Sequence, residues 1–129
     1  MLQGQASAEI RDFVKLSLAM AATPTVKFLP LMNPQGLNLQ ISSVVFKKPA
    51  PGVLHYTAAK GAVEGFIRGL SSEVKNQIVI VVRPPRMLTD QTNLAGMLKI
   101  PRSAVDVASH FFDFLGQLPQ NQRFHGIGL

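Results

Sequence analysis

The sequence predicts an α/β fold, an open parallel sheet of about three strands flanked by helices, as in part of a doubly wound layer. Helical and strand periodicities alternate along the 129 residues in the order helix, strand, helix, strand, helix, strand. The run Ile78 to Val82 is continuously apolar and β-branched, the pattern of a strand buried on both faces of a parallel sheet. The connections between strands suit right-handed crossovers.

The first helix is predicted from Ser7 to Lys27, because Ile10, Phe13, Val14, Leu18 and Ala21 recur at three- and four-residue steps behind Ser7 as N-cap. Pro24 is expected to kink or interrupt it, leaving Val26, Phe28 and Leu29 to carry a second apolar turn towards Pro30. Asn33-Pro34-Gln35-Gly36 has the composition of a turn, and Leu37, Leu39 and Ile41 alternate as in a strand. After Ser42-Ser43, a loop with Pro49, Pro51 and Gly52 leads into a helix from Val53 to Lys75. Leu54, Ala58, Val63, Phe66, Ile67 and Leu70 fall on one side of it. Gly61, Gly65 and Gly69 lie inside that helix, each at a cost of about 1 kcal/mol relative to alanine, which predicts a face closely approached by another helix or backbone. Arg83-Pro84-Pro85-Arg86 ends the Ile78 strand. Thr89 to Ile100 is expected to be a mobile segment with a short amphipathic helix. Ser103 to Leu118 forms the last helix, with Val107, Phe111, Phe114 and Leu115 inward, and Phe124 to Leu129 a last short strand. The first strand would then be an apolar sheet edge, so a further segment of polypeptide or a partner chain is expected beside Leu37 to Ile41.

The length suits one compact unit over residues 1–129. The absence of cysteine rules out disulfides and thiolate zinc sites and fits a reducing, cytoplasmic setting. Glu9, Arg11, Asp12 and Lys15 precede the short apolar stretch Leu16 to Ala22, which is not the layout of an export signal, and no run approaches the roughly twenty residues that cross a bilayer. The net charge of +6 raises the question of nucleic acid. Yet only Lys47-Lys48 and the Arg83/Arg86 pair are dense, and the chain has one tyrosine and no tryptophan for base stacking, so an anionic small molecule or an acidic carrier protein suits it better. His55, His110 and His125 are scattered without carboxylate or cysteine neighbours, and no metal site is expected.

The chemistry concentrates in ISSVVFKKPAPGVLHYTAAKGAVEGF. Tyr56 and Lys60 are four apart at a helix start and so share a face, while Ser43 follows directly on a strand end, thirteen residues before the tyrosine. Ser17-Leu18 through Leu29-Pro30-Leu31-Met32 and the segment Arg83-Pro84-Pro85-Arg86-Met87-Leu88-Thr89 add ordered motifs on either side. Together these residues, from about Ser17 to the C-terminus, resemble the C-terminal half of a short-chain dehydrogenase/reductase of the ketoreductase kind. The resemblance implies a partial Rossmann-type domain, an NAD- or NADP-dependent oxidoreductase activity, and Ser43, Tyr56 and Lys60 as catalytic residues. Tyr56 would exchange the proton with a carbonyl oxygen, Lys60 would also touch the nicotinamide ribose, and Ser43 would orient the substrate carbonyl. Pro84 and Thr89 would lie on the cofactor, and Ser17 would hold the relay water that an asparagine usually anchors. Val44, Phe46, Leu94, Met97 and Leu98 are candidates for an apolar substrate wall or, equally, for core and lid packing. Arg83 and Arg86 would flank the cofactor edge, either holding a phosphate or standing solvated at the strand end.

The residue types suit proton transfer. Bringing a phenol from its reference pKa near 10 towards neutrality takes about 4 kcal/mol of preference for the phenolate. An ammonium about 5 Å away supplies about 3 kcal/mol at an effective dielectric of 20 but under about 1 in open water, so the pair needs a sealed site.

The departures from the family pattern are as informative. No glycine-rich strand-turn-helix is present to cradle a pyrophosphate, and the Gly126-Ile127-Gly128 triplet reads as a strand end. Pro85 stands where the family has a glycine close to the nicotinamide and removes an amide donor. The expectation is therefore a catalytic portion whose nucleotide-binding half lies in an upstream segment or separate chain. The alternative is an inactive interaction module that keeps the helices at 7–32 and 53–75 for homo-oligomerisation.

Overall fold

The computed structural model describes residues 7–87 and 103–117, and the backbone of 124–128. Helix α1 runs over Ser7–Phe28 and tightens into a 3-10 turn at Leu29–Leu31; β1 is Leu37–Ile41, followed by a 3-10 turn at Val44–Phe46. Helix α2 spans Leu54–Glu73, β2 Ile78–Arg83, α3 Ala104–Gly116 and β3 Phe124–Gly128. All three strands are parallel, in the order β1-β2-β3, with Leu39 opposite Ile80 and Val81 opposite Gly126. The Gly126-Ile127-Gly128 triplet is thus a ladder segment beside β2, as expected.

Strand β2 is the centre of the core, and its two faces separate two layers. Val79 and Val81 pack with Ala21 of α1 and with Val63, Ile67 and Leu70 of α2. Ile80 and Val82 face the other way, onto Phe111, Phe114 and Leu115 of α3. Val79 and Ile80 have no exposed surface, and removing such side chains from water contributes about 1.5–3 kcal/mol each, which is why an uninterrupted apolar strand selects a two-sided cover. Helix α3 begins with a reciprocal capping box: Asp106 N donates to Ser103 Oγ at 3.1 Å and Ser103 N donates to the Asp106 carboxylate at 3.2 Å. The Ser103 hydroxyl, donating to the same carboxylate at 2.7 Å, and then the Ser103 amide hold Asp106 below the usual carboxylate range.

Of the two outcomes expected at Pro24, a kink or an interruption, the interruption does not occur, and α1 runs through it. The helix continues because its buried residues on either side of that proline, Ala21 and Thr25, are docked on the domain, and tertiary packing outweighs the missing amide. The Thr25 hydroxyl donates to the Ala21 carbonyl at 2.7 Å and accepts from Gln40 Nε2 at 3.0 Å; Gln40 also donates to buried Asn38 Oδ1 at 3.2 Å. The polar positions of β1 therefore face α1, and its apolar Leu39 joins the α3 side. At the turn before β1, Gln35 adopts a positive φ of 66°. A Cβ at Gly36 would come within 2.9 Å of the Asn33 carbonyl oxygen, so glycine is required there.

Two further expectations are corrected. Leu54 and Ala58 are exposed, because α2 turns its Val63, Ile67 and Leu70 stripe to the sheet and its first turn extends past the edge of that contact. Of the three glycines in α2, only Gly61 meets a neighbour among the described residues, the Phe46 ring at 3.4 Å from an added Cβ, whereas Gly65 and Gly69 have none of them within 4 Å. Among the described residues, strand β1 pairs only with β2 and leaves Leu37 and Ile41 exposed, an apolar edge of the kind the sequence implied. No helix among the described residues is long and apolar enough to cross a membrane.

Candidate active site

The carboxyl ends of β1 and β2 and the first turns of α2 meet at one end of the sheet. Ser42 N donates to the Val82 carbonyl at 2.7 Å, and Val44 N donates to the Pro84 carbonyl at 3.2 Å, so the segments leaving the two strands are tied together. Ser43 sits between these bonds in extended backbone and caps the Val44–Phe46 turn, its Oγ accepting from Val45 N at 3.3 Å. An oxygen that accepts this bond keeps its hydroxyl proton available for donation. Phe46 then lays its ring over Gly61, one residue beyond Lys60, which makes it a packing residue between turn and helix.

Tyr56 and Lys60 lie one helical turn apart on α2. The Lys60 ammonium stands 5.5 Å from the Tyr56 ring centroid and donates to the Ile41 carbonyl at 3.2 Å, reaching across to the end of β1 two residues before Ser43. Half-burial removes water from that ammonium and pushes the Lys60 pKa down. Its field is correspondingly less screened than that of a surface lysine. Phe13 of α1 approaches the Tyr56 ring at 6.5 Å between centroids, tilted, and stacks edge-on with His55 at 5.0 Å.

The other sequence candidates divide. Pro84 is half-buried at the end of β2, with its carbonyl held as described. Ser17 is half-buried on α1. Thr89, Leu94, Met97 and Leu98 lie outside the described residues, as does the expected mobile segment from Thr89 to Ile100. Arg83 is neither a phosphate ligand nor a solvated strand end. It is buried, and its Nε and second guanidinium nitrogen donate to the two carboxylate oxygens of Glu64 at 2.6 and 2.7 Å. Glu64 was missed at the sequence level, although it falls on the same helical stripe as Lys60 and Ile67, where an acid requires a buried partner.

Three buried polar atoms, Ser42 Oγ, His55 Nδ1 and Thr57 Oγ1, have no hydrogen-bond partner among the described residues. They flank Ser43 and Tyr56 in the chain, which fits a site whose polar complement is completed by a further group. Tyr56, Lys60 and Pro84, three of the residues expected on a cofactor, all lie at this end of the sheet. For the pyrophosphate, no glycine-rich amide cradle opens a helix among the described residues.

A parallel sheet covered by helices on both faces, with its reactive side chains at the carboxyl ends of the strands, is the Rossmann-like class of α/β proteins. Residues 2–97 match the short chain dehydrogenase family, and the chain belongs to it. That match begins ahead of Ser17 and ends before α3. The alcohol dehydrogenase from the archaeon Thermococcus sibiricus, complexed with 5-hydroxy-NADP, is 20% identical with a TM-score of 0.78 over 99% of this chain and 56% of its own. A short-chain dehydrogenase/reductase from Vibrio parahaemolyticus is 23% identical with a TM-score of 0.76 over 100% of this chain and 59% of its own. At these identities the likeness establishes the fold, and the chain spans little more than half the length of those structures. A comparison with curated proteins gave no match.

Proposed function

We propose that this chain is the proton-transfer portion, the C-terminal half, of an NAD- or NADP-dependent short-chain oxidoreductase that interconverts a carbonyl and an alcohol. The observation that carries the proposal is the Lys60 ammonium 5.5 Å from the Tyr56 ring while it also reaches the β1 end that leads into Ser43. When bound, the nicotinamide supplies or takes the hydride. Tyr56 gives its phenolic proton to the carbonyl oxygen in reduction and takes it back in oxidation. Lys60 stabilises the phenolate by charge, and Ser43 donates its free hydroxyl proton to the same substrate oxygen. Phe13, 6.5 Å from the ring between centroids, supplies part of the cover that the electrostatics require, and the bound cofactor supplies the rest. Ser17 and Thr89 keep the roles that the resemblance implies, at the relay water and on the cofactor.

The nucleotide-binding half comes from an upstream segment or a separate chain. The bare outer edge of β1 and the coverage of little more than half of the matched structures support that reading. The cysteine-free composition suits cytoplasmic residence. Supplying the missing half and following NAD(P)H oxidation with a carbonyl substrate tests the proposal. Tyr56→Phe should lower turnover by about 10²–10⁴-fold, and undiminished activity rules out the assigned acid.

A second reading, an inactive module that self-associates through α1 and α2, draws on exposed Leu16 and Met20 of α1 and the open Gly65 and Gly69 face of α2. It predicts a dimer by sedimentation at micromolar concentration; a monomer there counts against it.

A further inference from the structure

The buried pair Glu64–Arg83 stands beside the Tyr56–Lys60 pair without touching substrate positions, and its placement gives it a second consequence. Lys60 and Glu64 are one turn apart on α2, a spacing at which a lysine and a glutamate pair readily. Each reaches towards a strand end. Lys60 ends on the Ile41 carbonyl of β1, and Glu64 on the Arg83 guanidinium of β2. Ile41 and Val82 are register partners, so Arg83 follows directly on the residue opposite Ile41 and the two contacts lie on adjacent strands. Both carboxylate oxygens of Glu64 are taken by the planar fork of Arg83, in a setting where the side chains are only 5% and 8% exposed. Glu64 is therefore closed to Lys60, whose ammonium has a backbone carbonyl as its hydrogen-bond acceptor and the Tyr56 ring as its other neighbour.

We infer that Arg83 is a positioning residue that sequesters the Glu64 carboxylate and so reserves the Lys60 ammonium for Tyr56. Without the guanidinium, Glu64 would be a buried, unpaired carboxylate one turn from an ammonium, and the two would close on each other. Lys60 would swing towards the β2 side, away from the phenol. Among the described residues the ion pairs are Arg11–Asp12 and Arg83–Glu64, and neither includes Lys60. From α1 the contact on the Tyr56 ring is Phe13, and Arg11 and Asp12 pair with each other in solvent at 3.0 Å. On α2 itself the neighbouring His55 turns its ring onto Phe13, and β1 offers its backbone carbonyl. Beyond β1, Lys47 and Lys48 after the 3-10 turn are exposed, as is Arg86 beyond β2.

The inference rests on the proposed coupling of Tyr56 with Lys60, and one spectroscopic handle separates the two. Tyr56 is the single tyrosine of a chain without tryptophan, so the near-ultraviolet phenolate band of the intact chain reports this side chain alone. At a fixed, mildly alkaline pH below that at which Lys60 loses its proton, Lys60→Gln should lower the phenolate fraction; no change refutes the coupling and everything built on it. Arg83→Met should lower it as well. Moving the ammonium from about 5 to about 10 Å lowers the phenolate-to-phenol ratio at least about twofold even with the screening of water, and about tenfold or more at an effective dielectric of 20.

Removing Glu64 at the same time, in Glu64→Gln/Arg83→Met, should restore the wild-type fraction, because no carboxylate is left to draw Lys60 aside. A merely structural role predicts no such recovery. If Arg83→Met does not fold, Arg83→Lys, which keeps the charge but loses the bidentate fork, should give a smaller fall in the same direction. A normal phenolate fraction in the Arg83 variants alongside a lowered one in Lys60→Gln overturns the inference and leaves the proposed function standing. A double variant as low as the single one does the same.

Discussion

Replacing Glu64 with leucine leaves the Arg83 guanidinium in the interior with nothing to accept its protons. Two charge-assisted hydrogen bonds of 2.6 and 2.7 Å are lost together, and the side chains concerned are 5% and 8% exposed, so water cannot replace the carboxylate without opening the contact between α2 and β2. Breaking a buried ion pair on one side costs about 3–5 kcal/mol, mostly the desolvation of the charge left behind. Against a typical domain stability of about 5–15 kcal/mol that is a large fraction. An unfolding entropy of about 2.1 cal/mol/K per residue, taken over 129 residues, is about 0.27 kcal/mol/K, so the loss corresponds to a Tm lowered by about 11–18 °C.

Adding Arg83→Met removes the stranded charge. The double variant should recover most of the loss or exceed wild type, since apolar side chains of similar volume often replace a buried pair without penalty. Urea unfolding followed by circular dichroism measures all three proteins. A single variant that costs less than about 1 kcal/mol, or a double variant no more stable than Glu64→Leu, would show that the pair is not held in the low-dielectric setting described.

Ile67 is fully buried between Ala21, Val63, Leu70 and the β2 valines, so Ile67→Ala should cost about 2–5 kcal/mol in the same unfolding experiment, whereas Leu54→Ala, at a half-exposed position, should change stability by well under about 1. Equal effects would contradict the assigned face of α2. Burial holds Lys60 below its ordinary value of 10.5, so between the folded value and 10.5 the unfolded chain binds more protons, and the stability linked to this group rises with pH. Below that window the desolvation penalty is present in full. In a Tyr56→Phe background, which removes the phenol from the same range, the stability difference between the Lys60 protein and Lys60→Met should shift in favour of lysine as pH rises towards 10.5. A difference that does not vary with pH would place the ammonium in water.

Much of the architecture was legible because it is written in short-range patterns. The unbroken apolar run Ile78 to Val82 announced a strand covered on both sides, and Val107, Phe111, Phe114 and Leu115 at helical spacing marked the α3 face that covers one of them. Tyr56 and Lys60 had to be neighbours, since four residues make one turn once the helix is granted. The apolar alternation Leu37, Leu39, Ile41 was readable too, and among the described residues that strand stands at the edge of the sheet.

Residues distant in the chain decided the rest. Pro24 carries a strong local signal to interrupt a helix, and it was overruled by the docking of Ala21 and Thr25, a contact no window of sequence contains. Arg83 could be read as a phosphate ligand or as a solvated cation at a strand end until folding brought Glu64, nineteen residues earlier, against it. Glycine spacing on α2 predicted close approach at three positions, and only Gly61 received a neighbour. The sequence by itself determined which residues share a turn, a strand or an alternating face, because local geometry has fixed periods. Only the tertiary structure decided which charges are left free and which are cancelled, because that depends on the side chain met across the gap between two elements and on how much water remains there.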